Sequence, residues 1–235
     1  MNIEAYKPYF TADLLMGPNS ARLLQELMHR HPLALTAADK LLDLGCGTGL
    51  TSLILARETA AHVYAGDLWV KPEDNAARFR SWGVSDKITP VYTDANDLPF
   101  EKKQFQALVS VDSYHYFATG TGFFAEKILP FLDDGAQVLI AIPGIQNAFS
   151  GRSEELLTEW LHEEAYMFQS PDTWTRIIGS HERIETVETW EMDCFDIAWA
   201  DWLSTEHRYA QGDKVFYDTL IRPYTCFTGI YVKLK

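Results

Sequence analysis

Three glycines and an acid stand at every second position of "LLDLGCGTG" (41–49): Asp43, Gly45, Gly47 and Gly49. An apolar run leads into this stretch, and a helix-forming run, "LTSLILARETA" (50–60), leads out of it. A turn so bare of side chains lets the backbone take positive φ and lets a ligand approach the main chain. The helix start that follows offers unpaired N–H groups and a partial positive charge. A Walker-type phosphate site needs G-x-x-x-x-G-K-[ST], and no lysine follows these glycines. A dinucleotide wants G-x-G-x-x-G. Gly45 and Gly47 match its first two positions, but the third falls on Leu50, where glycine is needed for close helix–strand packing.

His115, in "LVSVDSYHYF", is a candidate general base. Its unperturbed pKa of about 6.5 lies near working pH, and a positioned base typically contributes roughly 10²–10⁴-fold. Asp112 stands three residues earlier. If this segment opens a helix, the two side chains share a face and the carboxylate orients the imidazole. No metal site is expected. "HEEAY" (162–166) lacks the second histidine of H-E-x-x-H, and Cys46, Cys194 and Cys226 pair with no histidine at zinc spacing. No G-x-S-x-G elbow is present. Trp190, Trp199 and Trp202 gather late in the chain. They read equally well as core and as the walls of an apolar acceptor pocket.

The elements that must position these residues alternate. Strands are expected at 40–45, 62–67, 87–94, 105–112 and 136–143, and helices at 19–30, 50–60, 72–82 and 123–132. Short alternating strands and helices indicate parallel βαβ units with helices on both faces of a sheet. After Pro143 the rhythm changes. Helices are expected at 153–168, 170–181, 196–208 and 214–224, and strands at 183–192 and 225–234. No repeat, low-complexity tract or long linker divides the 235 residues, so one domain is expected.

"LLDLGCGTG" resembles the first motif of the class I S-adenosylmethionine-dependent methyltransferases, an acid followed by G-x-G-x-G. Within them the chain is similar to the small-molecule, type 11 branch, well over 40–143 and in outline elsewhere. The resemblance implies a Rossmann-like α/β fold: a seven-stranded, mostly parallel sheet, its last strand antiparallel, with helices on both faces. It also implies a helical cap over the cofactor end from 1–35, 145–170 and 193–224. S-adenosylmethionine, leaving as S-adenosylhomocysteine, would be held by Asp43, Gly45, Cys46, Gly47 and Gly49. Asp67, ending "YAGD", would take the ribose hydroxyls, since one carboxylate accepts from both. Leu68 would flank the adenosine, and Asp94 and Ala95 would meet the adenine. Val111 and Asp112, ending the fourth strand, would lie beside the sulfonium. The segment "VDSYHYF" lacks the Asn/Asp-Pro-Pro-aromatic motif of base and glutamine methylators, so a small-molecule acceptor near His115 is expected.

Composition narrows the partners. Apolar residues make up 47 %, enough for a sizeable core, and 33 acids against 20 bases give a net charge of −13. That balance opposes binding to a nucleic-acid backbone or an anionic membrane. No signal peptide or apolar span of membrane length is read, and the three sparse cysteines fit a reducing cytoplasm. Two other functions remain open at this level. One is a non-catalytic S-adenosylmethionine-binding protein, and the other a nicotinamide-dependent dehydrogenase.

Overall fold

A computed structural model describes residues 1–235. Seven strands form one sheet: β1 (Lys40–Leu44), β2 (His62–Asp67), β3 (Ile88–Tyr92), β4 (Phe105–Val111), β5 (Leu132–Ile145), β6 (Ile184–Glu191) and β7 (Thr225–Leu234). Their order is β3-β2-β1-β4-β5-β7-β6. The pairs from β3 across to β5 are parallel, while β7 runs antiparallel to both β5 and β6. The expected Rossmann-like sheet with one reversed strand is therefore present.

Alternate residues of the central strands feed two cores. Leu41, Val109 and Leu139 face one, and Leu42, Leu108 and Val138 face the other. Burial on both sides explains why these strands read as nearly unbroken apolar runs. Leu23 and Leu27 of α1 (Ser20–Arg30) and Leu53 of α2 (Leu50–Glu58) cover the first face, with Phe79 of α3 (Pro72–Ser81) beside them. The second face is covered by Phe124 and Ile128, and by Trp174 and Ile177 of a helix over Pro171–Ile178.

Four expected helices are interrupted; the one over 214–224 becomes a π turn at Tyr217–Ile221. The segment 123–132 is a π turn over Phe124–Ile128 followed by a 3-10 turn over Leu129–Phe131. Pro130 lacks an N–H and its ring collides with a preceding carbonyl, so no regular helix can pass it. Strand β5 then starts at Leu132. The helix expected over 153–168 is split. It is α4 (Ser153–Leu161), then a break at His162 with φ +52°, then a 3-10 turn over His162–Met167. The break folds Ala165 and Phe168 back to bury against Leu157 of α4. The Pro171–Ile178 helix is α5. The helix expected over 196–208 is α6 (Phe195–Leu203). It stops where Ser204 Oγ and Thr205 Oγ1 donate to the carbonyls of Asp201 and Trp202, a local competition that favours helix ends. Helix α7 (Arg208–Phe216) follows.

Candidate functional site

The strand order reverses between β1 and β4, so the connections leave their tips in opposite directions and open a crevice there. The tips are laced together. Ser110 Oγ and Ser113 Oγ donate to the Leu44 carbonyl at 2.8 Å and 3.0 Å. Gly45 has φ +74°, and a Cβ on it would stand 2.2 Å from Ser113 Oγ, so only glycine fits. Its N–H and that of Cys46 donate to the Gly66 carbonyl at 2.8 Å and 3.1 Å. Asp67 closes the turn. Its Oδ2 accepts the Gly47 N–H at 2.8 Å, and its Oδ1 accepts those of Trp69 and Val70, each at 2.8 Å. The carboxylate thus organises the glycine turn as well as facing the crevice.

An outer cleft of about 330 Å³ lies over these tips. Of the residues expected from sequence, Gly45, Cys46, Gly47, Asp67 and Leu68 line it from β1 and β2. Asp94 and Ala95 line it from beyond β3, and Val111 and Asp112 from β4. Two expected residues lie outside the lining. Asp43 is 0 % exposed and sits below the turn, where its Oδ2 accepts from Thr51 Oγ1 at 2.7 Å and Ser52 Oγ at 2.6 Å. Burial pushes its carboxyl up to about 6. It anchors α2 to β1 through these two bonds. Gly49 starts α2 and packs against Phe79. The Asp94 carboxyl is held below the usual range by hydrogen bonds from the Asn96 N–H and side-chain amide.

An inner chamber of about 130 Å³ adjoins the cleft. The two share Asp112, Tyr116 and the strip Met16–Gly17–Pro18. This strip is tethered at both ends. Thr48 Oγ1 donates to the Leu14 carbonyl at 2.6 Å, and the Asn19 N–H donates to the Ala198 carbonyl of α6 at 3.0 Å. Helix α1, expected as part of the cap, is instead buried against the sheet, and the strip before it is the cover. At Gly17 a Cβ would stand 2.7 Å from Asp112 Oδ2, so the strip crosses directly over that carboxylate.

His115 lines the inner chamber only. It is 2 % exposed, its Nδ1 has no partner, and burial holds its pKa down to about 3. An imidazole so held stays neutral and is a weak proton acceptor, which removes the physical basis for the expected base. The expected shared helix face also fails. Asp112 has φ +57°, and a short 3-10 turn begins only at Tyr114. No hydrogen bond joins Asp112 to His115. The Asp112 carboxyl is instead pushed up to about 7, first by burial and then by the charge of Asp213.

The comparisons with known proteins coincide with this geometry. A family model described as a methyltransferase domain matches residues 41–135, which carry β1 to β4 and the whole glycine turn. Over that stretch the chain is similar to S-adenosylmethionine-dependent methyltransferases. The chain is similar to the methyltransferase GfsG of Streptomyces halstedii, 32 % identical over 93 residues, 39 % of this chain. That alignment spans only 33 % of the relative's length. Its fold matches a geranyl diphosphate C-methyltransferase from Streptomyces coelicolor, solved with Mg²⁺, geranyl diphosphate and S-adenosyl-L-homocysteine. The TM-score is 0.70 at 16 % identity, over 89 % of this chain and 77 % of that one. It also matches phosphoethanolamine N-methyltransferase 2 of Haemonchus contortus, solved with S-adenosyl-L-methionine. There the TM-score is 0.74 at 19 % identity, over 98 % of this chain and 56 % of that one.

Sequence reasoning missed the residues that make the inner chamber. Trp160, Phe168 and Glu164 reach it from α4 and the 3-10 turn after it, and Asp213 from α7. Asp213 accepts the indole N–H groups of Trp160 at 2.9 Å and Trp202 at 2.8 Å. Trp199, weighed as core or pocket, is both: 3 % exposed, packed in the core and lining the chamber. The strip over the site had one sequence signal, the Gly17-Pro18 turn pair ahead of the Asn19 helix cap.

Proposed function

We propose that this protein binds S-adenosylmethionine in the outer cleft and transfers its methyl group to a small molecule held in the inner chamber. The observation that carries the reading is the joint between the two chambers, formed by Asp112, Tyr116 and the strip 16–18. The cleft fits the donor on its own geometry. Gly45 and Gly47 line the cleft without side chains, and Asp67, Asp94 and Ala95 lie at successive strand ends along it. Asp67 would take the ribose hydroxyls and the Asp94–Ala95 edge the adenine. The donor, when bound, supplies an electrophilic methyl carbon on a sulfonium. The chain's own part is alignment and exclusion of water, which together account for much of such a barrier. Residues 1–235 act as one unit in this reading. The cover comes from the 11–19 segment within 1–35 and from the chamber walls within 145–170 and 193–224.

S-adenosylhomocysteine at 100 times its dissociation constant should stabilise the protein by about 2.7 kcal/mol by mass action, and NADH should not. A mass-spectrometric screen of a metabolite library with the donor present should then show a product heavier by one methyl group. Stabilisation by NADH alone would replace the reading with a dehydrogenase. Donor binding without any methylated product would leave a non-catalytic binding protein.

A further inference from the structure

The inner chamber, like the outer cleft, is lined by carboxyl groups and by no cation. Three carboxylates line it, Asp112, Glu164 and Asp213, and no lysine or arginine lines either chamber. An anionic acceptor would therefore be repelled without any compensating cation. The structural neighbours include enzymes solved with phosphate-bearing molecules; such groups have no positive partner here.

The carboxylates are presented in different ways. Asp213 is fixed by the indoles of Trp160 and Trp202. Asp112 accepts no hydrogen bond from the protein, and its acidity is set only by burial and by Asp213. The strained left-handed backbone at Asp112, φ +57°, holds this unpaired carboxylate at the joint with the donor cleft. The remaining walls are aromatic: Tyr116, Trp160, Phe168 and Trp199. Ring faces attract a desolvated cation as carboxylates do. Two nitrogens on these walls, His115 Nδ1 and Trp199 Nε1, are buried without any partner in the protein. His115 is 2 % exposed and Trp199 3 % exposed. Buried polar atoms are nearly always paired; an indole N–H can only donate, so it is His115 Nδ1 that can accept from an N–H in the chamber.

We propose that the inner chamber takes a small protonated amine, held between Asp112 and Asp213 and walled by aromatic rings, and that Asp112 removes the proton that frees its lone pair. This rests on the reading of the outer cleft as the donor site. An ammonium has no lone pair to share. One N–H bond must break, its electron pair staying on nitrogen and the proton passing to an Asp112 oxygen. The neutral amine then forms the new N–C bond as the donor's C–S bond breaks with its pair on sulfur, giving a methylammonium and a neutral thioether. Asp112 returns its proton to water. A carboxyl near 7 suits that exchange at neutral pH, whereas an imidazole near 3 does not.

The test uses the full chain saturated with S-adenosylhomocysteine. Isopropylamine, isoamylamine and benzylamine are titrated by calorimetry, each beside the alcohol and the carboxylate of the same carbon skeleton. At least one amine should bind ten-fold or more tightly than its alcohol, and the carboxylates should be weakest. Asp112→Asn should remove most of that preference, and its turnover with the preferred amine, at saturating donor, should fall at least 100-fold. Asp213→Asn is the second variant and should weaken the same preference. Normal S-adenosylhomocysteine binding with no amine better than its alcohol would overturn the amine proposal and leave the donor site standing. Failure of S-adenosylhomocysteine to bind would overturn both. An amine preference untouched in both variants would overturn the assignment to these carboxylates.

Discussion

Replacing Gly45 by alanine should expose two separate penalties, and Gly135 supplies the control. Both residues have φ +74°. An added Cβ at Gly135 meets nothing within 4 Å. At Gly45 it would stand 2.2 Å from Ser113 Oγ and 2.4 Å from Ser113 Cβ. Rotating the serine does not help, because its Cβ is itself in the way. Left-handed backbone costs an L-residue about 1–2 kcal/mol, and forcing extra volume into a packed site adds about 1–3 kcal/mol. Gly135→Ala should therefore lose about 1–2 kcal/mol, and Gly45→Ala about 2–5 kcal/mol. Ser113→Gly, placed on the Gly45→Ala background, should recover the second part as a coupling of about 1–3 kcal/mol in a double-mutant cycle. Urea unfolding with an unchanged m-value reads all five proteins: wild type, Gly135→Ala, Gly45→Ala, Ser113→Gly and the double variant. Equal losses at Gly45 and Gly135, or no coupling to Ser113, would refute the claim that the strand tips meet too closely for a side chain.

Two other perturbations separate the carboxylates around the turn. Asp67→Ala leaves three backbone N–H groups without their acceptor; bonds to a charged group are worth about 1.5–3 kcal/mol each. Urea unfolding should show a loss of about that size for at least one of them, and calorimetry with S-adenosylhomocysteine at least a ten-fold weaker affinity; wild-type values in both assays would contradict the geometry. Asp43→Asn tests burial through pH. The carboxyl rises from 3.8 to about 6 on folding, so it ionises more easily unfolded, and its penalty on the folded state grows from about pH 4 to about pH 6 and is full above that. At about 1.4 kcal/mol per decade in proton affinity the pH-dependent part reaches about 3 kcal/mol. The variant should therefore gain on wild type across that window and stay level on either side, as followed by urea midpoints from pH 3.5 to 8. A flat difference would show that Asp43 is not charged at a cost in the fold.

The sheet was legible because its central strands are buried on both faces, so Leu41 and Leu42 carry the same apolar signal while serving different cores. The glycine turn was legible because spacing alone constrains it. Asp43 was misplaced for a local reason: the hydroxyls that hold it, Thr51 and Ser52, come one helical turn after the motif and compete with any ligand. The helix breaks at His162 and Leu203 were hidden because long-range burial of Phe168, and side-chain bonds of Ser204 and Thr205, decide them. The inner chamber left no pattern. Asp112, after β4, and Asp213, on α7, meet only across the chamber that both line, and no periodicity along the chain records it.

The lacing of the β1 and β4 tips has a consequence for how the protein acquires its site. Ser110 and Ser113 reach back over 66 and 69 residues to the Leu44 carbonyl. The glycine turn, β2 and Asp67 can come together from a contiguous early segment, yet the floor of the cleft needs β4 to arrive beside it. Contacts of such sequence separation form late, because the intervening loop must close first. A nascent or partly opened chain can thus display the complete motif and hold nothing. A ligand bound in the cleft, as proposed above, would act as a clasp across the seam between the two halves of the sheet, rewarding only chains in which both halves have docked.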